Sequence, residues 1–402
     1  MFMFIINRPS DLNRFEKALP WVLIIGRRKT GKTFFVKHFC KYDKYFFVRR
    51  DRIIFDDSGN ALSYESFFNL FKELLGKYTI VIDEFHRLPL EFFDYLHMVG
   101  KKGKLIAISS TLWFAKKLIG SGSPLLGLFS PVVFSTISEI DIVNFFKHKI
   151  KDPKELVEVS TYLREPLLIP KYKRGLTARE LVSNFLYENK YTLEELIGEI
   201  FDEEKRRLSE VYKGILSAVS SGKTVSTKIS SFLYSRKLIP KDNPGLIQRY
   251  LDVLVKIGLL EKIPVWHKKT FVYKVSSPLL DLHFYLKEKY AYTEYDANLS
   301  WIRKVVEEKI PMHVEDFFSK LLSKKYGLRN IKIFEPEVDI ALFKFKKPNI
   351  IAEVKWKKKL TKSDLEKCSK TFSHFPKTKK FLILPKTKKL KAFITKDIRD
   401  FI

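Results

Sequence analysis

An eight-residue loop, GRRKTGKT at residues 26–33, separates a compact apolar run from a segment with helical periodicity. A backbone that wraps phosphate groups must turn its N–H groups inward, and the sharp bends require glycine. The helix that follows directs the positive end of its dipole at the same anion. Lys32 would reach the outer phosphates, and the Thr33 hydroxyl would bind Mg²⁺. The pattern predicts an α/β fold and ATP contacts from Gly26, Arg27, Arg28, Lys29, Thr30, Gly31, Lys32 and Thr33.

A second apolar run, residues 79–82, ends in the acids Asp83 and Glu84. Open α/β sheets bind their ligands at the carboxyl ends of parallel strands. Asp83 would hold the hydration shell of Mg²⁺, and Glu84 would orient or deprotonate the water that attacks ATP. The alternative is a pair of acids solvated in a loop. A third run ends in polar residues at 109–111, which would sense the terminal phosphate or simply cap a strand.

The positive charge of the chain is concentrated in its second half. Residues 301–402 hold 27 Lys and Arg against 12 Asp and Glu, and residues 206–290 hold 16 against 6. Residues 1–205 hold 32 against 26, within a formal net charge of +29. Such a field attracts polyanions, so we expect DNA as a partner. A generally lysine-rich surface of thermophilic type is the alternative explanation.

Composition also limits the cellular setting. Two cysteines, Cys40 and Cys368, exclude a disulfide framework and a four-cysteine zinc site. Apolar runs fall short of membrane-spanning length, and the first twenty residues lack the features of a signal peptide. We therefore expect a cytoplasmic protein without membrane association.

The stretch EVDIALFKFKKPNIIAEVKW, residues 337–356, places charges inside apolar, strand-like runs. Burying a charge is costly unless it is paired or bound to a metal. A hairpin turning at KKPN would put Glu353 and Lys355 on one face, with Asp339 across from them. Two carboxylates and an amine placed together in this way suggest a functional site. The alternative is a Glu353–Lys355 ion pair on a sheet edge that lysines 357–359 guard.

Residues 206–290 predict three helices followed by a β-hairpin, the pattern of a winged helix-turn-helix. Gln248 or Arg249 would point into a DNA groove, and Lys268 and Lys269 at the hairpin tip would contact phosphates. The alternative is that this module packs against the rest of the protein as a lid or partner surface. After it, an amphipathic helix beginning at residue 314 carries Glu315 near its start.

The segments GRRKTGKT, IVIDE, LIAISS and GSGSPLLGLF together resemble the archaeal AAA+-like ATPases of the STAND-related group. EVDIAL and EVKW resemble the PD-(D/E)XK nuclease-like domain often found at their C-terminus. The resemblance implies a P-loop ATPase core with a parallel sheet at residues 1–150 and a helical lid at 151–205. It implies a winged helix at 206–290 and a restriction-endonuclease-like α/β domain at 300–402. For that domain the resemblance implies that Asp339 and Glu353 bind Mg²⁺ against the scissile phosphate and that Lys355 positions the attacking water or stabilises developing charge. Glu315 would complete the catalytic set.

Two segments depart from the family pattern. The SPL segment usually continues into Gly-Arg, whereas here Gly127 is followed by Leu128. If that arginine contacts the phosphate, this chain supplies the charge elsewhere or hydrolyses ATP slowly. The segment REPLLIP replaces both glycines of a Gly-Gly-x-Pro motif, and Arg164 would then substitute as a phosphate sensor.

We therefore expect an ATPase that uses ATP and Mg²⁺ and whose nucleotide state controls DNA binding and Mg²⁺-dependent DNA cleavage. One rival is a nucleotide-switched signalling or scaffold ATPase whose nuclease-like domain binds without cutting. A second rival is a DNA-binding regulator that holds ATP structurally. A second copy of the chain or another protein is a further expected partner.

Overall fold

The computed structural model describes residues 4–112, 115, 119–120, 122–203, 209–357 and 359–402. Several positions named above lie outside these residues: Ser121 of the GSGSPLLGLF segment, the predicted lid boundary at residue 205, and Lys358.

The amino-terminal region is a parallel-rich sheet covered by helices on both faces. Its strands have the order β4-β3-β2-β5-β6-β1-β7 in the described part of the chain, and only β3 and β4 run antiparallel to their neighbours. The elements in chain order are α1 Pro9–Ala18, β1 Trp21–Ile25, α2 Lys32–Phe39, β2 Lys44–Val48, β3 Ile54–Asp56, β4 Ala61–Leu62, α3 Tyr64–Leu74, β5 Thr79–Asp83, α4 Leu90–Val99, β6 Lys104–Ser109 and β7 Ser130–Val133.

The central strands are apolar throughout because both of their faces are buried. On β1, Trp21, Leu23 and Ile25 join one core, whereas Val22 and Ile24 join the core on the opposite face. The carboxyl ends of β1, β5 and β6 therefore meet at one edge of the sheet. This edge holds the phosphate loop, Asp83 and the polar residues after β6.

A helical layer follows, with α5 Glu139–Phe146, α6 Pro153–Leu163, α7 Ala178–Glu188 and α8 Lys190–Glu203. The next module has helices α9 Glu210–Ser220, α10 Ser226–Ser235 and α11 Pro244–Lys256, the hairpin β8 Leu260–Pro264 and β9 Phe271–Val275, and α12 Pro278–Tyr290. The Asn243 side chain caps α11 at the backbone N–H of Gly245, as the sequence predicts. Three helices and a hairpin thus lie where they are expected.

The carboxy-terminal region is a second sheet between two helices. The elements are α13 Leu299–Tyr326, β10 Arg329–Asn330, β11 Ile340–Lys344, β12 Lys347–Val354, α14 Lys362–Ser373, β13 Lys379–Ile383 and β14 Thr395–Lys396. The strand order is β10-β11-β12-β13-β14, so β12 is central. Its residues Ile350 and Ala352 pack toward α13, whereas Ile351 packs on the opposite face with Phe372 of α14.

Two expectations about this region are wrong. Helix α13 begins at Leu299 and runs through Pro311, because Ile302, Val305, Ile310 and other buried residues keep its apolar face against the core. Glu315 therefore lies in the second half of the helix. The hairpin turns at Phe345 and Lys346, not at Pro348 and Asn349, and Pro348 lies inside β12 next to a bulge that tolerates its missing N–H.

Within the described ranges, no helix combines the length and apolarity needed to cross a bilayer.

Candidate functional site

The loop of residues 26–33 joins the end of β1 to the start of α2. A Cβ atom on Gly26 would lie 2.1 Å from the Phe134 carbonyl oxygen, so only glycine fits there. Gly31 has φ +85°, in the left-handed region that glycine adopts without strain. The two glycines that the motif requires are therefore placed by backbone geometry.

Lys32 and Thr33 bond to protein groups around the loop. The Lys32 ammonium is buried and donates to the carbonyl oxygens of Gly26 (2.7 Å) and Arg27 (2.9 Å). The Thr33 hydroxyl donates to Asp83 Oδ2 (2.6 Å), and Tyr45 donates to the same oxygen (2.8 Å). The structure thus brings together the hydroxyl and the carboxylate that would hold Mg²⁺ and its water.

Glu84 is held beside Asp83 in a constrained backbone. Its φ is +57°, and its N–H donates to Asp83 Oδ1 (2.8 Å). The Ser110 hydroxyl donates to Glu84 Oε2 (2.8 Å), and the Ser109 hydroxyl lies 3.1 Å from His86 Nδ1. A non-glycine residue at positive φ costs about 1–3 kcal/mol and is concentrated at functional sites. Ser110 thus orients the candidate base.

The arginine side chains around the loop form ion pairs and hydrogen bonds with other residues of the protein. Arg27 forms a buried bidentate pair with Glu165, at 2.6 and 2.8 Å, and Arg28 pairs with Glu199 at 2.9 Å. Arg8 donates to the Thr30 carbonyl oxygen (2.7 Å). Arg8 belongs to no recognisable motif, yet its guanidinium fixes the loop from outside.

Arg164 is not placed as a free phosphate sensor. Its guanidinium donates to the Ile137 carbonyl and the Thr136 hydroxyl (both 2.8 Å) and lies 2.6 Å from Glu139. Burial alone would raise the pKa of Glu139, but Arg164 and Lys324 outweigh burial and lower it. Arg164 is therefore a structural ion-pair residue in this conformation.

An apolar cavity of about 330 Å³ adjoins the phosphate loop. Its size and its walls suit a purine base, since such sites are mainly apolar with few polar groups. The lining residues are Phe4, Ile6, Arg8, Lys29, Gly31, Phe34, Ile137, Pro166, Leu167, Ile169 and Pro170.

A second polar cluster lies at the carboxyl end of β12. Lys355 Nζ is 2.8 Å from Glu353 Oε2 and 3.4 Å from Asp339 Oδ2. Asp339 also accepts from the Val354 N–H (2.8 Å), which ties the two neighbouring strands together. The Glu353 side chain is only 8% exposed, and its Oε1 is buried without a hydrogen-bond partner among the described residues. The predicted set Asp339, Glu353 and Lys355 is thus assembled.

The charges of this cluster do not balance. One ammonium faces two carboxylates, so the trio carries a net negative charge. Burial and then the charge of Asp339 raise the pKa of Glu353. For Lys355, burial opposes the charged form, but Asp339 and Glu353 outweigh it and raise the pKa. Such a cluster favours an additional cation.

The negative charge of Asp339 also acts on Glu315. Burial raises the pKa of Glu315 to about 7, with Asp339 adding to the effect and Lys274 opposing it. Among the described residues, no group of three or more His, Cys, Asp and Glu side chains is arranged to hold a metal. Any ion would therefore rest on Asp339 and Glu353, with Glu315 as a more distant acid.

The alternative of an ion pair on a guarded sheet edge is correct about the ion pair and wrong about the edge. The Glu353–Lys355 ion pair exists, but β12 is the central strand of its sheet, so the pair protects no edge. Lys357 pairs with Asp364 (2.5 Å) at the start of α14. A charge pair on a central strand needs a reason other than solubility, because burial there is costly.

Helix α6 connects the two clusters, a link that no sequence motif signals. Trp356, the residue after Lys355, donates its indole N–H to Glu158 Oε1 on α6 (3.0 Å). Two residues beyond the end of α6, Glu165 holds Arg27 of the phosphate loop.

The hairpin of the middle module is docked on the carboxy-terminal region. The backbone N–H of Trp266 donates to the Lys332 carbonyl oxygen (2.9 Å), and the indole ring of Trp266 packs against Phe343 and Phe375. Lys268, at the tip, pairs loosely with Glu335 (3.7 Å).

The predicted DNA-reading residues of the same module differ in exposure. Lys269 and Arg249 are exposed, so both could contact a ligand. Gln248 is partly buried, and its amide donates to Asp252 (3.2 Å) and Tyr273 (3.4 Å). Gln248 is therefore not aimed at a groove.

Comparisons with known proteins support the amino-terminal interpretation. A family model described as an AAA domain matches residues 19–123. The Walker-type ATPase PABY2304 of Pyrococcus abyssi is similar in fold, with a TM-score of 0.53 at 16% identity over 70% of this chain and 96% of that one.

Origin-recognition proteins are more distant. The Aeropyrum pernix ORC1 protein in complex with DNA gives a TM-score of 0.32 at 13% identity, over 73% of this chain and 96% of that one. The Aeropyrum pernix ORC2 protein gives a TM-score of 0.38 at 13% identity, over 75% of this chain and 91% of that one. No curated protein matches the chain. The AAA domain match over residues 19–123, the similar fold of the Walker-type ATPase and the loop geometry support a P-loop ATPase core in the amino-terminal region.

Proposed function

We propose that this protein binds and hydrolyses ATP and that its nucleotide state controls DNA binding and Mg²⁺-dependent DNA cleavage at Asp339, Glu353 and Lys355. One observation carries the cleavage proposal. Two carboxylates and one ammonium converge on the end of a central strand, and one buried carboxylate oxygen has no partner among the described residues. A divalent cation would satisfy that oxygen and the excess negative charge.

ATP would bind with its base in the apolar cavity and its phosphates on the loop. Lys32 would turn from the carbonyls of Gly26 and Arg27 toward the outer phosphates. Thr33 and Asp83, already joined by a hydrogen bond, would hold Mg²⁺, which neutralises phosphate charge when bound. Glu84, oriented by Ser110, would accept a proton from the attacking water.

DNA cleavage would use the second cluster. Mg²⁺ bound there supplies a lowered water pKa and charge neutralisation at the phosphate. Asp339 and Glu353 would hold the ion, and Lys355 would leave its bridging position to orient the attacking water or the developing phosphorane charge. Glu315 would accept a proton at the rim of the site, because a pKa of about 7 suits proton transfer near neutral pH.

Residues 206–290 would act as a winged helix that guides DNA to this cluster. Exposed Arg249 and Lys269 would contact phosphates. Lys268 lies beside Glu335, four residues before Asp339, so the hairpin tip borders the path to the candidate site. Helix α6 would transmit the nucleotide state, since it contacts Trp356 and leads to the Arg27–Glu165 pair.

The second candidate function is DNA or protein binding without cleavage. It is favoured by the Lys355 ammonium, which already bridges both carboxylates and so competes with a metal. In this alternative the cluster would only stabilise the sheet. ATP binding and the basic surfaces would be unchanged.

Incubation of the full chain with supercoiled plasmid and Mg²⁺, with and without ATP, separates the two functions. Asp339→Ala and Glu353→Ala should abolish nicking and leave ATP affinity unchanged. Glu337→Ala is the matched control, because this acid is exposed and lies two residues before Asp339. Cleavage that survives in both site variants would refute the site at Asp339 and Glu353, whereas an inactive wild type would favour binding without cutting.

A further inference from the structure

The turn between β11 and β12 exposes an aromatic side chain. Phe345 is 89% exposed, more than any other large apolar residue described. Its neighbours Lys344, Lys346 and Lys347 are also exposed. The ring at this hairpin tip is therefore open to a contact from outside the chain.

The backbone at this position would accept a different residue more readily. Phe345 is the first central residue of a two-residue turn and has φ +56°. Glycine is preferred where such hairpins need positive φ, and asparagine tolerates it. Phenylalanine at this φ is under backbone strain. Folding alone therefore does not account for phenylalanine at the tip.

The surroundings of the tip are uniformly basic. Residues 340–352 contain no Asp or Glu, and neither do residues 367–396. β12 and β13 run parallel with Ile350 opposite Lys379, so the start of β13 lies at the same end of the sheet as the tip. None of the exposed lysines Lys344, Lys346, Lys347, Lys377 and Lys379 forms an ion pair with a carboxylate in the described part of the chain.

We propose that Phe345 stacks on an unpaired or extruded base of DNA while the lysines around it bind the adjacent phosphates. Aromatic rings bind bases through their faces, and basic side chains beside them neutralise the backbone. The inference rests on the DNA binding proposed above and adds a substrate class, DNA with a locally unstacked base.

A fluorescent base tests the proposal. The full chain is titrated into a duplex that carries one unpaired 2-aminopurine, whose emission falls when an aromatic ring stacks on it. Wild-type protein should quench the emission, and Phe345→Gly should abolish quenching and weaken binding about tenfold. Phe345→Trp should retain both. Thermal unfolding of Phe345→Gly should be unchanged or shifted upward, because glycine suits φ +56°.

The outcomes are distinguishable from those of the cleavage proposal. Quenching that depends on Phe345 in a protein without nuclease activity would support the tip contact while refuting cleavage. Cleavage with no quenching, or equal affinity of wild type and Phe345→Gly, would overturn the tip contact alone. Binding to anionic phosphatidylserine vesicles that requires Phe345, without quenching of the DNA probe, would assign the tip to a membrane surface and also overturn it.

Discussion

Replacing Glu353 by glutamine separates a metal site from a structural ion pair. Glutamine keeps the shape of the side chain but removes the charge. In the wild type, Glu353 Oε2 pairs with Lys355, whereas Oε1 is buried without a partner among the described residues. A divalent cation would bind the wild-type carboxylates more strongly than the variant, which retains only Asp339.

The expected effect follows from ligand linkage. For a dissociation constant of about 1 mM, Mg²⁺ at about 10 mM stabilises the folded state by RT ln 11, or about 1.4 kcal/mol. The gain should appear in the wild type and fall below about 0.3 kcal/mol in Glu353→Gln. Mg²⁺ suits this site better than Ca²⁺, because Mg²⁺ binds through one or two carboxylates and keeps several of its waters.

Urea unfolding at pH 8 without nucleotide measures this gain, with NaCl matched in ionic strength as the salt control. Asp83→Asn serves as the second control, because it removes the carboxylate at the end of β5 that lies beside the phosphate loop and should leave the gain intact. An equal gain in wild type and Glu353→Gln would refute the reasoning. So would the absence of any gain in the wild type.

Four further predictions concern single residues. Lys32→Ala should lower ATP affinity at least tenfold, measured by equilibrium binding of labelled ATP; unchanged affinity would exclude the phosphate loop. Glu84→Gln should keep ATP affinity and reduce hydrolysis about 100-fold or more in a phosphate-release assay. Glu315 has its pKa raised by burial to about 7, so the folded state retains its proton between pH 4.5 and 7 and loses stability as pH rises through that range. Glu315→Gln should flatten this decline in urea unfolding, and an unchanged slope would contradict it. Trp356→Phe removes the bond to Glu158 and should abolish the response of plasmid nicking to ATP while leaving ATP affinity unaltered; a retained response would exclude α6 as the route.

The local motifs were predictable because short spacing rules fix them. The glycines at 26 and 31 follow from the backbone that a phosphate loop requires, and period two places Glu353 and Lys355 on one face. Asp339 falls opposite Glu353 because the hairpin register pairs Ile340 with Ala352. These features depend on neighbours in sequence or in one hairpin.

Long-range features were not predictable. The start of α13 was misplaced because tertiary packing overrides the cost of Pro311. The Arg27–Glu165 and Trp356–Glu158 contacts join residues 138 and 198 positions apart, and no periodicity encodes them. The turn at Phe345 also goes against the backbone preference of phenylalanine, which rarely adopts positive φ.

The most direct test of the central claim is the anomalous scattering of Mn²⁺ in crystals of the full chain. The account predicts an ion with oxygen atoms of Asp339 and Glu353 at about 2.1 Å, and with the Lys355 ammonium moved away from its bridging position. A cluster without an ion at saturating Mn²⁺, in which Lys355 still joins the two carboxylates, would contradict the account.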